Sequence, residues 1–227
     1  MDIKNWSLEW GGRKLFVETG KLALQAHSSC TVRYGDTVIL ATVVKSKTIR
    51  AGIDYFPLME DFEETLYAAG KIKGSRFIKR EGRPSDEAIL SGRMVDRAIR
   101  PLFDERVRND VQVVLTALSV DGENYAAVTS FLAASIALAT SAVPWAGPIG
   151  AARVGMTETG EFILNATTEQ LVTGGLNLVV AGTPEKLVMV EVGAKEVSEE
   201  IIFKAMKWGC EQLKPVIKFI KEIQAEI

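Results

Sequence analysis

The most apolar stretch of the chain, Ala126 to Val143, sets the limits on its fold. Thr129, Ser130, Ser135, Thr140 and Ser141 interrupt it, so it is not a clean bilayer span. It reads as a buried helix, and a helix with no polar face needs cover on every side. The flanking sequence offers that cover as strands. Lys14 to Glu18 and Leu22 to His27 alternate in strand fashion around Thr19-Gly20, and Ser29 to Tyr34 and Thr37 to Val44 form a hairpin at Gly35-Asp36. A short strand is expected at Tyr55 to Met59 and a strongly apolar one at Val111 to Val120. Beyond the apolar helix, Ala151 to Met156 with Glu161 to Leu164, and Asn177 to Ala181 with Leu187 to Val192, read as two further strand pairs. A terminal helix starts near Ser198 and is expected to break at Pro215. Strands followed by helices in both halves predict one α+β domain.

Charge is distributed unevenly. The segment from Lys71 to Arg108 holds 11 of the 27 Lys and Arg residues and six acids, a local +5, in a chain of net −2. A basic island in an otherwise acidic protein points to a polyanion partner, RNA or phosphate itself. Gly70, Gly74 and Gly82 punctuate its first part, which reads as a loop carrying Arg76, Phe77, Lys79, Arg80 and Arg83. One aromatic ring among cations suits single-stranded RNA: the ring stacks on a base while the cations hold phosphates.

A helix follows the loop. Pro84 leads in, Ser85 is the N-cap, Asp86 and Glu87 sit at the positive end of the helix dipole, and Pro101 stops it near Arg100. At about 100° per residue, Arg93, Arg97 and Arg100 share one face, while Ala88, Met94, Val95, Ala98, Ile99 and Leu102 lie opposite. Three guanidinium forks on one face match phosphate oxygens bidentately. Asp96 is the single acid in the helix middle, so the face is expected to escape local neutralisation.

Other chemistry is sparse. His27 is the sole histidine, sits in an alternating stretch read as strand, and has no accompanying nucleophile motif. Cys30 and Cys210 lie far apart, which fits a reduced cytoplasmic protein. The N-terminus lacks the pattern of a signal peptide. The acidic run Glu60, Asp61, Glu63 and Glu64 reads as a solvated strand edge, and no metal site is expected from it.

Leu66 to Phe103 (LYAAGKIKGSRFIKREGRPSDEAILSGRMVDRAIRPLF) resembles the first RNase PH-like core of the bacterial polynucleotide phosphorylase family. Similar stretches run over 19–44, 147–156 and 177–183, so the likeness covers nearly the whole chain. It implies an RNase PH-like α+β core over 1–227, with a C-terminal helix leading toward a helical linker, as part of a longer chain. That family degrades RNA from the 3′ end with phosphate as nucleophile, reversibly, and releases nucleoside diphosphates. The resemblance implies a trimeric ring, a second RNase PH-like core, single-stranded RNA and RNA-degradation machinery as partners. It also implies cytoplasmic location, no membrane contact, and Mg²⁺ and phosphate as cofactors of the full enzyme.

In the family, the second core carries a serine-rich phosphate turn and paired Asp residues. The corresponding turn here is Asp121-Gly122-Glu123-Asn124-Tyr125, and Asn165 and Asn177 stand where carboxylates would be expected. Asn cannot deliver a proton as a carboxylic acid does. No complete catalytic set, and no cofactor bound by this domain, is therefore expected. By resemblance Phe77, Lys79 and Arg80 grip RNA in the channel, and Arg93, Arg97 and Arg100 support the active site of the other core. The alternatives are a stand-alone RNase PH-type trimming enzyme and a non-catalytic, exosome-like ring subunit.

Overall fold

The architecture is that of a computed structural model, and it describes residues 2–72, 74 and 82–227. Two sheets enclose the apolar helix. The first sheet contains β1 (Lys4–Trp10), β2 (Arg13–Thr19), β3 (Ser28–Tyr34), β4 (Thr37–Ile49), β5 (Leu58–Glu63) and β6 (Asn109–Ser119), in the order β1-β2-β3-β4-β6-β5. All neighbours are antiparallel except β5 and β6, which run parallel and are joined through α1 (Asp86–Ile99). A parallel pair needs such a crossover.

The apolar run forms α2 (Ala126–Ala139), buried at every position from Ala127 onward. The second sheet comprises β7 (Gly150–Met156), β8 (Phe162–Leu164), β9 (Leu176–Gly182) and β10 (Leu187–Ala194), ordered β10-β9-β7-β8. A short helix, α3 (Thr168–Gly174), links β8 to β9, and α4 (Glu199–Glu226) closes the chain. Gly209 of α4 lies against Val154 and Val180, while Arg153 on the other face of β7 reaches Tyr125 at the start of α2. The second sheet is thus covered on both faces, and every β7 residue up to Gly155 is buried. The end of α4 returns to β1, where the Trp6 indole donates to the Glu226 carboxylate at 2.7 Å.

The α+β expectation holds, with local corrections. Lys4–Trp10 is an unanticipated strand whose Trp6, Leu8 and Trp10 alternate toward the core. Leu22 to His27 is not a strand. Ala23 turns the chain at φ 52, Leu22 and Leu24 stay exposed, and β2 pairs directly with β3. His27 precedes β3, and its Nδ1 accepts from the Lys45 amide at 3.3 Å. The Tyr55 to Met59 strand starts only at Leu58, because Pro57 has no N–H for a ladder.

Pro215 does not break α4. Leu213, Val216, Ile217 and Ile220 are all buried on one side of it, and that packing outweighs one lost helical bond. Helix α3 was also unanticipated. Its signal is a capping box: Thr167 Oγ1 accepts from the Gln170 amide at 3.3 Å, and Gln170 Oε1 accepts from the Thr167 amide at 2.9 Å.

Candidate nucleic-acid interface and the polar junction beside it

Helix α1 is seated by its cap and by one apolar face. Ser85 Oγ accepts from the Ala88 amide at 3.0 Å and donates to Glu64 at 2.6 Å. Ala88, Met94, Val95, Ala98 and Ile99 are buried, with Ser91 and Gly92 beside them. Arg93, Arg97 and Arg100 are exposed on the other face, as the helical spacing predicts.

That face is not left unneutralised, contrary to expectation. Arg100 grips Asp96 one turn back through Nε at 2.9 Å and Nη2 at 2.6 Å, and also donates to the Leu58 carbonyl at 3.1 Å. Arg97 pairs with Glu191 of β10, a residue that no reading of the helix alone brings near. Arg93 has no ion pair among the described residues. Exposed pairs of this kind are worth roughly 0–1 kcal/mol, so a phosphate oxygen can displace either carboxylate.

Arg83 is exposed in the approach to α1, where Lys71, Ser85, Glu87 and Tyr125 line the same cleft. The 14 residues of α1 span about 21 Å, which separates Arg83 from Arg100 by the length of several nucleotides. Arg76, Phe77, Lys79 and Arg80 lie outside the described residues.

Beside α1, at the N-terminus of α2, a buried polar junction joins the two sheets. Asp121 accepts from the amides of Asp36 (3.0 Å), Glu123 (2.9 Å) and Asn124 (2.8 Å) and from the Thr37 hydroxyl (3.0 Å). Burial pushes its carboxyl up, but the Asn124, Asp36 and Glu123 donors outweigh that and hold it at about 2. Asn124 in turn accepts from Arg13, whose other guanidinium nitrogen donates to the Asn165 carbonyl at 2.8 Å.

Arg153 is only 8% exposed. Its Nε donates to Asn177 Oδ1 at 2.9 Å, its backbone amide donates to Asn165 Oδ1 at 3.1 Å, and its guanidinium stacks 4.3 Å from the Tyr125 ring centroid. Burial pulls the guanidinium below its ordinary value, opposed by the fields of Tyr125 and Glu87. The Asn165 amide nitrogen donates to the Tyr34 hydroxyl at 3.0 Å, which itself donates to the Trp10 carbonyl at 2.8 Å.

Both asparagine oxygens are therefore spent on Arg153. A divalent cation placed between them would face a buried guanidinium, so these residues do not fit Mg²⁺. Among the described residues no group of three His, Cys, Asp or Glu side chains is gathered. The sequence reading found Asn124, Asn165 and Asn177 but missed Arg13, Tyr34 and Arg153. The available signal was one arginine inside the otherwise uncharged strand GAARVGM. Cys30 is buried, with its thiol pushed up to about 12 by burial, and is no nucleophile.

Comparison with known proteins settles the family. Residues 11–144 match the 3′ exoribonuclease family, domain 1, and residues 147–212 match its domain 2. The chain belongs to the 3′ exoribonuclease family. It is 50% identical over 216 residues to the polyribonucleotide nucleotidyltransferase of Pelotomaculum thermopropionicum, covering 95% of this chain and 29% of that protein. The Finegoldia magna protein of the same name is 47% identical over 224 residues, 99% of this chain and 31% of its own. The Bacillus licheniformis protein is 49% identical over 222 residues, 98% and 31%. The chain thus spans about 30% of the length of these curated relatives. Rice Rrp46 shares the fold at TM-score 0.73 and 15% identity, over 98% of this chain and 94% of its own. Among the described residues no helix is long and apolar enough to cross a membrane.

Proposed function

We propose that this chain is the first core of a phosphate-dependent 3′-to-5′ exoribonuclease, a polyribonucleotide nucleotidyltransferase, folded as one RNase PH-like unit over 1–227. It carries RNA toward a catalytic centre that lies in a second core. Arg76, Phe77, Lys79, Arg80 and Arg83 hold the incoming strand, and Arg93, Arg97 and Arg100 receive its phosphates. Mg²⁺ and inorganic phosphate act in that second core. The full enzyme assembles as a homotrimer in the cytoplasm and works with RNA-degradation machinery.

The observation that carries this reading is the contrast between the two sites. The α1 face offers exposed guanidinium groups with displaceable partners, and the one carboxyl described in the polar junction, Asp121, is fixed in its ionised form by backbone donors. RNA handling without chemistry follows.

Phosphorolysis of poly(A) by this chain, followed as release of ADP, tests the division of labour. No release above a protein-free control is expected at any Mg²⁺ or phosphate concentration. Robust release would overturn it and favour a stand-alone trimming enzyme.

A further inference from the structure

The acidic run on β5 does not behave as one solvated edge. Asp61 and Glu63 are exposed, but Glu60 points the other way, between the buried Leu58 and Phe62, into the seam under α1. Its Oε1 is buried and has no hydrogen-bond partner among the described residues. Its Oε2 lies 2.8 Å from the point where a Cβ on Gly92 would stand. A glycine in the middle of α1 costs about 1 kcal/mol against alanine. Here it supplies the space that the carboxyl group occupies.

We propose that Glu60 is a positioning residue, which seats α1 and its arginine face by holding a proton in the seam between α1 and β5. An ionised carboxylate without donors is costly to bury, whereas the neutral acid is tolerated. The surrounding groups favour the neutral form. Asp96 of α1 and Asp61 of β5 are both acids, and the strand residue opposite, Val113 of β6, is apolar. Arg100, at the end of α1, reaches β5 at the Leu58 carbonyl but is held there and by Asp96. Burial first, then Asp96 and Asp61, raise Glu60 from 4.5 to about 9.

Ionisation sets Glu60 of β5 against Asp96 of α1, and that repulsion loosens α1 from β5. The stability Glu60 contributes is complete below 4.5, declines as pH rises, and is gone above about 9. The effect on polyanion binding rests on the function proposed above, but the seating of α1 does not.

The test follows three readouts between pH 6 and 10 on the whole chain. These are the Glu60 carboxyl resonance, the amide protection of α1, and affinity for an oligodeoxyadenylate, chosen to resist alkaline hydrolysis. Wild type should lose α1 protection progressively from pH 6 to about 9 and bind the oligonucleotide about fivefold more weakly at pH 10 than Glu60→Gln does. Glu60→Gln should give flat protection. Gly92→Ala should push the carboxylate into solvent, restore ordinary titration and flatten the profile as well. A Glu60 resonance titrating near 4.5 would overturn the proposal, as would α1 protection with the same pH dependence in wild type and Glu60→Gln. Absence of oligonucleotide binding at every pH would sink the RNA role alone, since the first two readouts still decide the seating.

Discussion

Arginine does opposite work on α1 and in the polar junction beside it. On α1 it is exposed and paired loosely: Arg97 with Glu191, Arg100 with Asp96, Arg93 with no ion partner among the described residues. In the junction, Arg153 is buried and meets an amide oxygen and a ring face, with no carboxylate in contact among the described residues. Solvent explains the difference. An exposed guanidinium keeps its hydration and exchanges partners at little cost. A buried one has to be satisfied by fixed groups and becomes part of the frame. The same residue type is a ligand-seeking group on one surface and an anchor in the other.

The sharpest way to break this comparison is to remove the anchor. Arg153→Ala leaves the Asn177 oxygen unpaired and takes the cation off the Tyr125 ring, while Asn165 keeps the backbone amide of residue 153. Chemical denaturation should show a loss of about 3 kcal/mol. Arg153→Met keeps most of the volume without the charge, and its loss should be clearly smaller. Equal losses in the two variants would mean that the lost pairing alone sets the cost, and a Met variant as stable as wild type would mean that volume, and not the pairing with Asn177, anchors the sheets.

The opposite result is expected on α1. Replacing Arg93, Arg97 and Arg100 together with alanine should change stability by about 1 kcal/mol, since the surface pairs and the single Arg100 bond to the Leu58 carbonyl are lost. Its effect belongs to binding. For single-stranded RNA the dependence of log affinity on log salt should fall by about 2, at roughly 0.7 per phosphate contact. An unchanged salt slope would place these arginines off the RNA path.

How far the sequence reached follows the same division. The arginine face was legible because a helix converts spacing into direction, and Ser85 and Pro101 mark its ends. Its ion pairs were only half legible: Asp96 lies on the helix itself, but Glu191 arrives from β10, nearly a hundred residues away. The junction was hidden for that reason throughout. Arg13, Tyr34, Asn124, Arg153 and Asn165 come from five separate segments. Strand periodicity failed at Leu22 to His27, where alternation was present but Ala23 turns the chain and β2 pairs directly with β3. Glu60 was misplaced for a related cause. Composition groups it with Asp61, and only the pleat of β5 separates them.

The smallest expected effect lies at Asp121, which ties the Gly35-Asp36 turn to the start of α2. Its carboxyl is held at about 2, below its ordinary 3.8, by donors that favour the charged form. Stability from this group is complete above 3.8 and is lost as pH falls toward 2. The residue is half-buried, and solvent screening keeps the contribution below about 1 kcal/mol. Asp121→Asn removes the titration but also presents an amide to the Asp36, Glu123 and Asn124 donors. The variant should therefore be slightly less stable at pH 7 and converge on wild type near pH 2. Thermal melts across pH 2 to 7 measure this directly. Parallel curves would mean that the junction is held by Arg153 and its asparagines alone, with Asp121 a passive turn residue.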